Sequence, residues 1–189
     1  MGSLNTNEIK SGTRLIFNNE PYVCIGSDFV KPGKGAAFYK IKVQNLLTGN
    51  TLEKTLRSGE KVDAADVVDT DMEYLYFDGT DYVFMDQTSF EQVKIPAKAV
   101  GDNSGFLQEN LSCIVTLWNG APIALRLPNT IIATITYTEP AVKGDTQSRV
   151  MKDATIDSGA TVQVPTFIAT GDRIQVDTRT REYLSRVKE

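Results

Sequence analysis

Apolar and polar residues alternate in short runs along this chain, and turn residues interrupt them about every ten positions, as many short strands would. Over residues 37–43, Ala37, Tyr39, Ile41 and Val43 fall on one face, with Lys40 and Lys42 on the other. Residues 131–138 alternate likewise, setting Ile131, Ala133, Ile135 and Tyr137 against Ile132, Thr134, Thr136 and Thr138. Asp78-Gly79 separates the apolar runs 74–77 and 82–85, and Asn119-Gly120 separates 114–118 from 123–125. Both dipeptides suit a type I′ hairpin turn, whose two central residues take positive φ. Thr48-Gly49-Asn50 marks another turn, and one segment, 97–110, reads as a helix weakened by Gly101 and Gly105. The pattern predicts an all-β protein of small barrels or sandwiches.

Charge divides this pattern. The 189 residues carry a net charge of −4. Residues 1–63 hold 9 basic and 6 acidic side chains, residues 64–128 hold 3 and 10, and residues 129–189 hold 8 and 8. The blocks predict three modules, 1–64, 65–128 and 129–189, with Pro128-Asn129 as a hinge. Modules this small bury modest cores, which closed barrels tolerate because closure removes exposed strand edges.

Composition removes several chemistries. Histidine is absent, which excludes the Ser–His–Asp and Cys–His nucleophile arrangements and every His-ligated metal site. Cys24 and Cys113 sit in apolar runs with no CxxC spacing, so two buried reduced thiols are expected, a disulfide being the lesser alternative. Reduced thiols, the lack of an 18-residue apolar stretch and the lack of a charged-then-apolar leader point to the cytoplasm and away from a membrane. No metal and no cofactor is expected.

The most informative segment is Lys31-Pro32-Gly33-Lys34-Gly35. Phe29-Val30 precedes it and the alternating run 37–43 follows, so it is the loop of a strand–loop–strand hairpin with Lys34 at the tip. Pro32 fixes its own φ, Gly33 and Gly35 open conformations closed to other residues, and Lys34 has no neighbouring side chain to shield it. From Phe29 through Leu52 there is no acidic residue, while Lys31, Lys34, Lys40 and Lys42 are basic, a stretch suited to phosphate backbone. By itself such a loop also reads as an ordinary soluble turn. It does not satisfy the phosphate-binding pattern GxxxxGK[ST]. The acidic run Asp63, Asp66, Asp69, Asp71 and Glu73 lacks the spacing of a calcium loop and reads as a solvated face. Tyr74, Tyr76, Tyr82 and Phe84 could stack bases, but they lie in the acidic block and read better as core and cross-strand pairs.

Two sets of residues carry a resemblance. Lys31-Pro32-Gly33-Lys34-Gly35 followed by Ala37-Phe38 and Leu47-Thr48-Gly49 is similar to the first domain of the bacterial elongation factor P family. Lys152, Ala154, Gly159, Val162, Val164, Pro165, Ile168 and Gly171 fall at the spacings of that family's third-domain signature. The resemblance spans essentially the whole chain. It implies an SH3-like first barrel and two OB-type barrels in an L-shaped, tRNA-like arrangement, acting as a monomer. It implies binding to the ribosome beside peptidyl-tRNA and stimulation of peptide-bond formation at consecutive prolines, without a classical enzyme site. Lys34 occupies the position that carries a post-translational extension, supported by Pro32, Gly33 and Gly35. The loop context fits β-lysylation by a lysyl-tRNA-synthetase-like ligase, with an aminopentanol-type extension or none as alternatives. Gly144-Asp145-Thr146 resembles a loop that approaches mRNA, and Tyr183 and Arg186 match positions near tRNA or ribosomal RNA. Lys31, Lys40 and Lys42 join them as RNA-facing cations. Arg181 departs from the family at a position where a turn glycine is frequent, and 147–153 departs from its usual linker. The rival readings are a general OB-fold nucleic-acid binder and an enzyme of unrecognised type.

Overall fold

A computed structural model describes residues 2–141 and 150–188. Its elements are nearly all strands, arranged in barrel-like sheets. The first sheet takes the order β2-β3-β4-β5, built from Arg14–Phe17, Glu20–Val30, Phe38–Asn45 and Thr51–Arg57. A short pair, β1 (Ser3–Asn5) with β6 (Lys61–Asp63), closes over it. Ile9, Leu15, Cys24, Ile41, Val43, Leu56 and Val62 form its core. Burying a side chain such as Leu15 or Ile41 stabilises by about 1.5–3 kcal/mol.

The second sheet has the order β11-β10-β7-β8-β9 and comprises Val67–Phe77 (β7), Asp81–Asp86 (β8), Gln92–Pro96 (β9), Ser112–Trp118 (β10) and Ala121–Arg126 (β11). The third has the order β14-β13-β12-β15-β16, from Thr130–Thr138 (β12), Met151–Ile156 (β13), Thr161–Pro165 (β14), Arg173–Asp177 (β15) and Glu182–Arg186 (β16). Ile131, Ala133, Ile135, Ile156, Val164 and Ile174 fill the third core. The chain also divides into two compact units, one running to Thr70 and including Thr116–Ala124, the other made of Asp71–Val115 and Leu125 onward. No described helix is long and apolar enough to cross a membrane.

Three local expectations change. The segment expected to be a helix over 97–110 is one α-turn, Ala97–Val100 (α1), followed by a 3-10 segment, Gly101–Phe106. Gly101 takes φ 57° and ψ −141°, which no α-helix continues through, so its conformational freedom decides the boundary. Asn119-Gly120 forms the expected turn, with φ of 49° and 80°. At Asp78-Gly79 only Gly79 has positive φ, 99°. There the Asp78 carboxylate accepts the Thr80 and Asp81 amide N–H groups at 2.9 and 2.8 Å, an Asx-type turn in place of type I′. Finally, Tyr137 leaves the buried face of β12. The register slips between Ile135 and Tyr137, so Tyr137 is exposed and Thr138 takes the inward place.

Candidate functional site

Strands β3 and β4 pair from Tyr22↔Asn45 to Val30↔Phe38, with one bulge between Cys24 and Gly26. Strand β5 supports β4 up to Phe38↔Arg57, and the Ser58 amide N–H donates to the Ala37 carbonyl at 3.1 Å. The stem is therefore ordered to the base of the loop. Tyr39 and Phe29 face each other across the strands with ring centroids 5.0 Å apart, and Phe29 is 54% exposed, lying two pairs beyond buried Ile41, which pairs with Ser27. Beyond this pair the chain changes character. Among the described residues, none from 31 to 36 makes a hydrogen bond or ion pair. Gly35 has φ 111°, where an added Cβ is strained whatever the space around it. Lys31 and Lys34 are exposed, and Lys34 stands at the end of the loop between its two glycines.

The structure separates the lysines that the sequence groups together. Lys40 lies opposite Asp28, and Lys42 lies opposite Glu53, both as direct cross-strand partners. A stretch free of acids along the chain is thus flanked by acids in the sheet. Lys31 and Lys34, beyond the last strand pair, have no such neighbour in the register. Arg57, opposite Phe38, adds an exposed cation at the loop base. Nothing in its local sequence marks Arg57. Only the β4–β5 register brings it there.

The other candidates lie elsewhere. Tyr183 is half-buried on the edge strand β16, opposite Val176. Arg186, on the same strand, is exposed and donates from Nη2 to Asp172 Oδ1 at 3.0 Å. Gly144, Asp145 and Thr146 lie outside the described residues. The acidic run is only partly a solvated face, since Asp69 accepts Arg14 Nη2 at 3.0 Å and the Thr116 hydroxyl at 2.8 Å. Phe84 is fully buried and Tyr74 packs 5.3 Å from it, as core, while Tyr76 is 52% exposed. Both cysteines are buried free thiols. Burial raises the Cys24 pKa and pushes Cys113 up to about 12, so neither offers a nucleophilic thiolate.

Comparison with known proteins places this architecture. Three family models match in sequence order: the elongation factor P KOW-like domain over residues 5–62, the elongation factor P OB domain over 67–125, and the elongation factor P C-terminal domain over 131–186. An elongation factor P from Pectobacterium atrosepticum is 50% identical over 188 residues, covering 100% of both chains. Among solved structures, a eukaryotic translation initiation factor 5A from Methanococcus jannaschii aligns with TM-score 0.55 and 17% identity, over 67% of this chain and 94% of that one. A translation initiation factor 5A family protein from Naegleria fowleri aligns with TM-score 0.51 and 17% identity, over 67% and 98%. At that identity the two structures speak for the fold alone. The class that emerges is a translation factor assembled from a KOW-like domain and OB-type domains. Within it, the chain belongs to the elongation factor P family.

Proposed function

We propose that this chain binds the ribosome beside peptidyl-tRNA and stimulates peptide-bond formation at consecutive prolines through a modified Lys34. The observation that carries the reading is the contrast within one hairpin: a stem ordered to its last pair, ending in an exposed lysine with no hydrogen bond or ion pair among the described residues. A side chain used for packing is not built this way. One that must enter another molecule's cleft is. Proline is a restricted nucleophile whose ring fixes φ, so its slow step is helped by holding the peptidyl-tRNA in a reactive geometry. Positioning needs no proton-transfer group, in keeping with a chain that has no histidine. A long cation on a thin loop reaches a phosphate-lined centre that a folded domain cannot enter, and an extension such as a β-lysyl group lengthens that reach.

On this reading the functional modules are 1–64, 65–128 and 129–189. Pro32, Gly33 and Gly35 shape the loop for a lysyl-tRNA-synthetase-like ligase. Lys31 supplies charge near the tip. Lys40, Lys42, Tyr183, Arg186 and the 144–146 loop face tRNA, ribosomal RNA or mRNA. The protein works as a cytoplasmic monomer without a cofactor. The test is a polyproline reporter in a host lacking its own factor, with intact-mass analysis of the native protein. Rescue by the wild type and none by Lys34→Ala is expected. Normal rescue by Lys34→Ala would overturn the mechanism, and tight ribosome-independent RNA binding would favour the general nucleic-acid binder.

A further inference from the structure

A second basic site lies far from the hairpin in sequence. The end of β11, the 3-10 segment Gly101–Phe106 and the turn between β15 and β16 enclose a cleft of about 260 Å³. Arg126, Arg179 and Arg181 line it together with Asn103, Asn129 and Thr178, and no carboxylate among the described residues lines it. The three guanidinium groups are held differently. Arg179 is clamped by Asp177, which accepts its Nη2 at 2.9 Å and its Nε at 3.3 Å. Arg181 takes φ 62°, a left-handed conformation that disfavours any residue with a Cβ. Its guanidinium lies 5.8 Å from the Phe106 ring centre and 3.7 Å from Asp102 Oδ2, a loose pair with a carboxylate that is 88% exposed. Arg126 is exposed and makes no ion pair or side-chain hydrogen bond among the described residues.

We infer that this cleft receives a phosphodiester group of an RNA backbone. A guanidinium fork matches the oxygens of a phosphate, and the forks of Arg126 and Arg181, with the N–H groups of Arg179 that Asp177 leaves over, make a positive site that the protein's own acids only partly neutralise. Asp177 fixes Arg179 from behind. The weak pair to Asp102 lets Arg181 exchange an exposed carboxylate for a phosphate without losing its place over Phe106. Arg126 has no internal partner to give up. An arginine kept at a left-handed position is accounted for if its side chain is needed there. The site also gives the acidic middle of the chain a local means of approaching RNA, since Arg126 is one of only 3 basic residues in 64–128.

This inference rests on the ribosome-binding reading, and its test is chosen to be separable from it. Ribosome affinity is measured against KCl concentration for the wild type, Arg126→Gln and, as a control cation outside the cleft, Lys98→Gln. Arg126→Gln is expected to weaken binding about tenfold at low salt. It should also flatten the dependence of log affinity on log salt by about one unit, the mark of one lost phosphate contact, with an unchanged melting temperature. Lys98→Gln should leave the slope as it is. An unchanged slope for Arg126→Gln, or an equal fall for Lys98→Gln, would overturn the assignment. Inorganic phosphate at constant ionic strength is the third arm. If it shifts the Arg126 Nε–H resonance while Arg126→Gln leaves the ribosome slope unchanged, the cleft takes free anions and the RNA assignment fails. Rescue by Lys34→Ala bears on the ribosomal mechanism alone and leaves the slope result standing.

Discussion

The hairpin loop and the arginine cleft present cations by opposite means. At the loop, glycines flank the charge, no hydrogen bond or ion pair holds it among the described residues, and the ordered stem ends just before it. At the cleft every arginine but Arg126 is pinned by a carboxylate or a ring. The first arrangement gives reach, since a side chain with no partners and a thin support can extend into a neighbour. The second gives fixity, since its positions are set before any ligand arrives and less ordering is left for binding. The lesson is that basic count says little about role. Lys40 and Lys42 belong to neither kind, because the sheet register sets Asp28 and Glu53 against them.

That contrast can be broken experimentally. The largest effect should come from Lys34→Ala, which removes stimulation at polyproline altogether while the thermal midpoint stays at the wild-type value. The tip buries nothing, so function and stability separate there. A drop in the midpoint would mean the loop is packed after all. Next comes Asp177→Asn, where the two should not separate. The Asp177 carboxylate accepts the Arg179 side chain and the amide N–H groups of Arg179 and Thr180, and these hold its pKa down to about 2. A carboxyl whose pKa falls on folding stabilises fully above its ordinary 3.8, and that stabilisation is lost as the pH falls toward about 2. Asp177→Asn should therefore lower the midpoint at pH 7 and lessen its fall between pH 5 and pH 2, as followed by circular dichroism. It should also flatten the salt slope, because Arg179 loses its anchor.

Arg181→Gly is the third, and smaller. It relieves about 1 kcal/mol of left-handed strain and removes a cation–π contact worth about as much, so the midpoint should stay within about two degrees of wild type. A salt slope unchanged in this variant would place Arg181 outside the anion site. Smallest of all is Lys40→Ala. On the proposed reading Lys40 faces RNA, but Asp28 opposite already offsets part of its charge, so losing it should weaken ribosome affinity less than twofold, against a clear loss for Lys31→Ala measured in the same titration.

Much of this was legible in the sequence because it depends on local rules. Alternation at 37–43 identified β4 and its buried Ile41 and Val43, and Asn119-Gly120 identified a turn by its need for positive φ. The loop around Lys34 was legible for the same reason, since glycine and proline act on their own backbone. What was hidden depends on register and on distant segments. An acid-free run along the chain could not reveal Asp28 and Glu53 across the strands, nor could any local window bring Arg57 to the loop base. The slip in β12 turned Tyr137 outward because one extra residue inverts the parity of everything after it. The arginine cleft draws on three segments, and its only sequence trace was Arg181 at a place suited to glycine.

Both cysteines lie buried, with their thiols held protonated by burial. The folded protein thus offers alkylating reagents no ready target of its own. A single cysteine placed at position 34 would be the one accessible thiol, open to haloalkylamines of any chosen length. Side chains that mimic lysine, or lysine extended by successive atoms, could then be installed at the loop end without a ligase. The distance between the barrel and its point of action would become a quantity that a chemist sets and a ribosome reads.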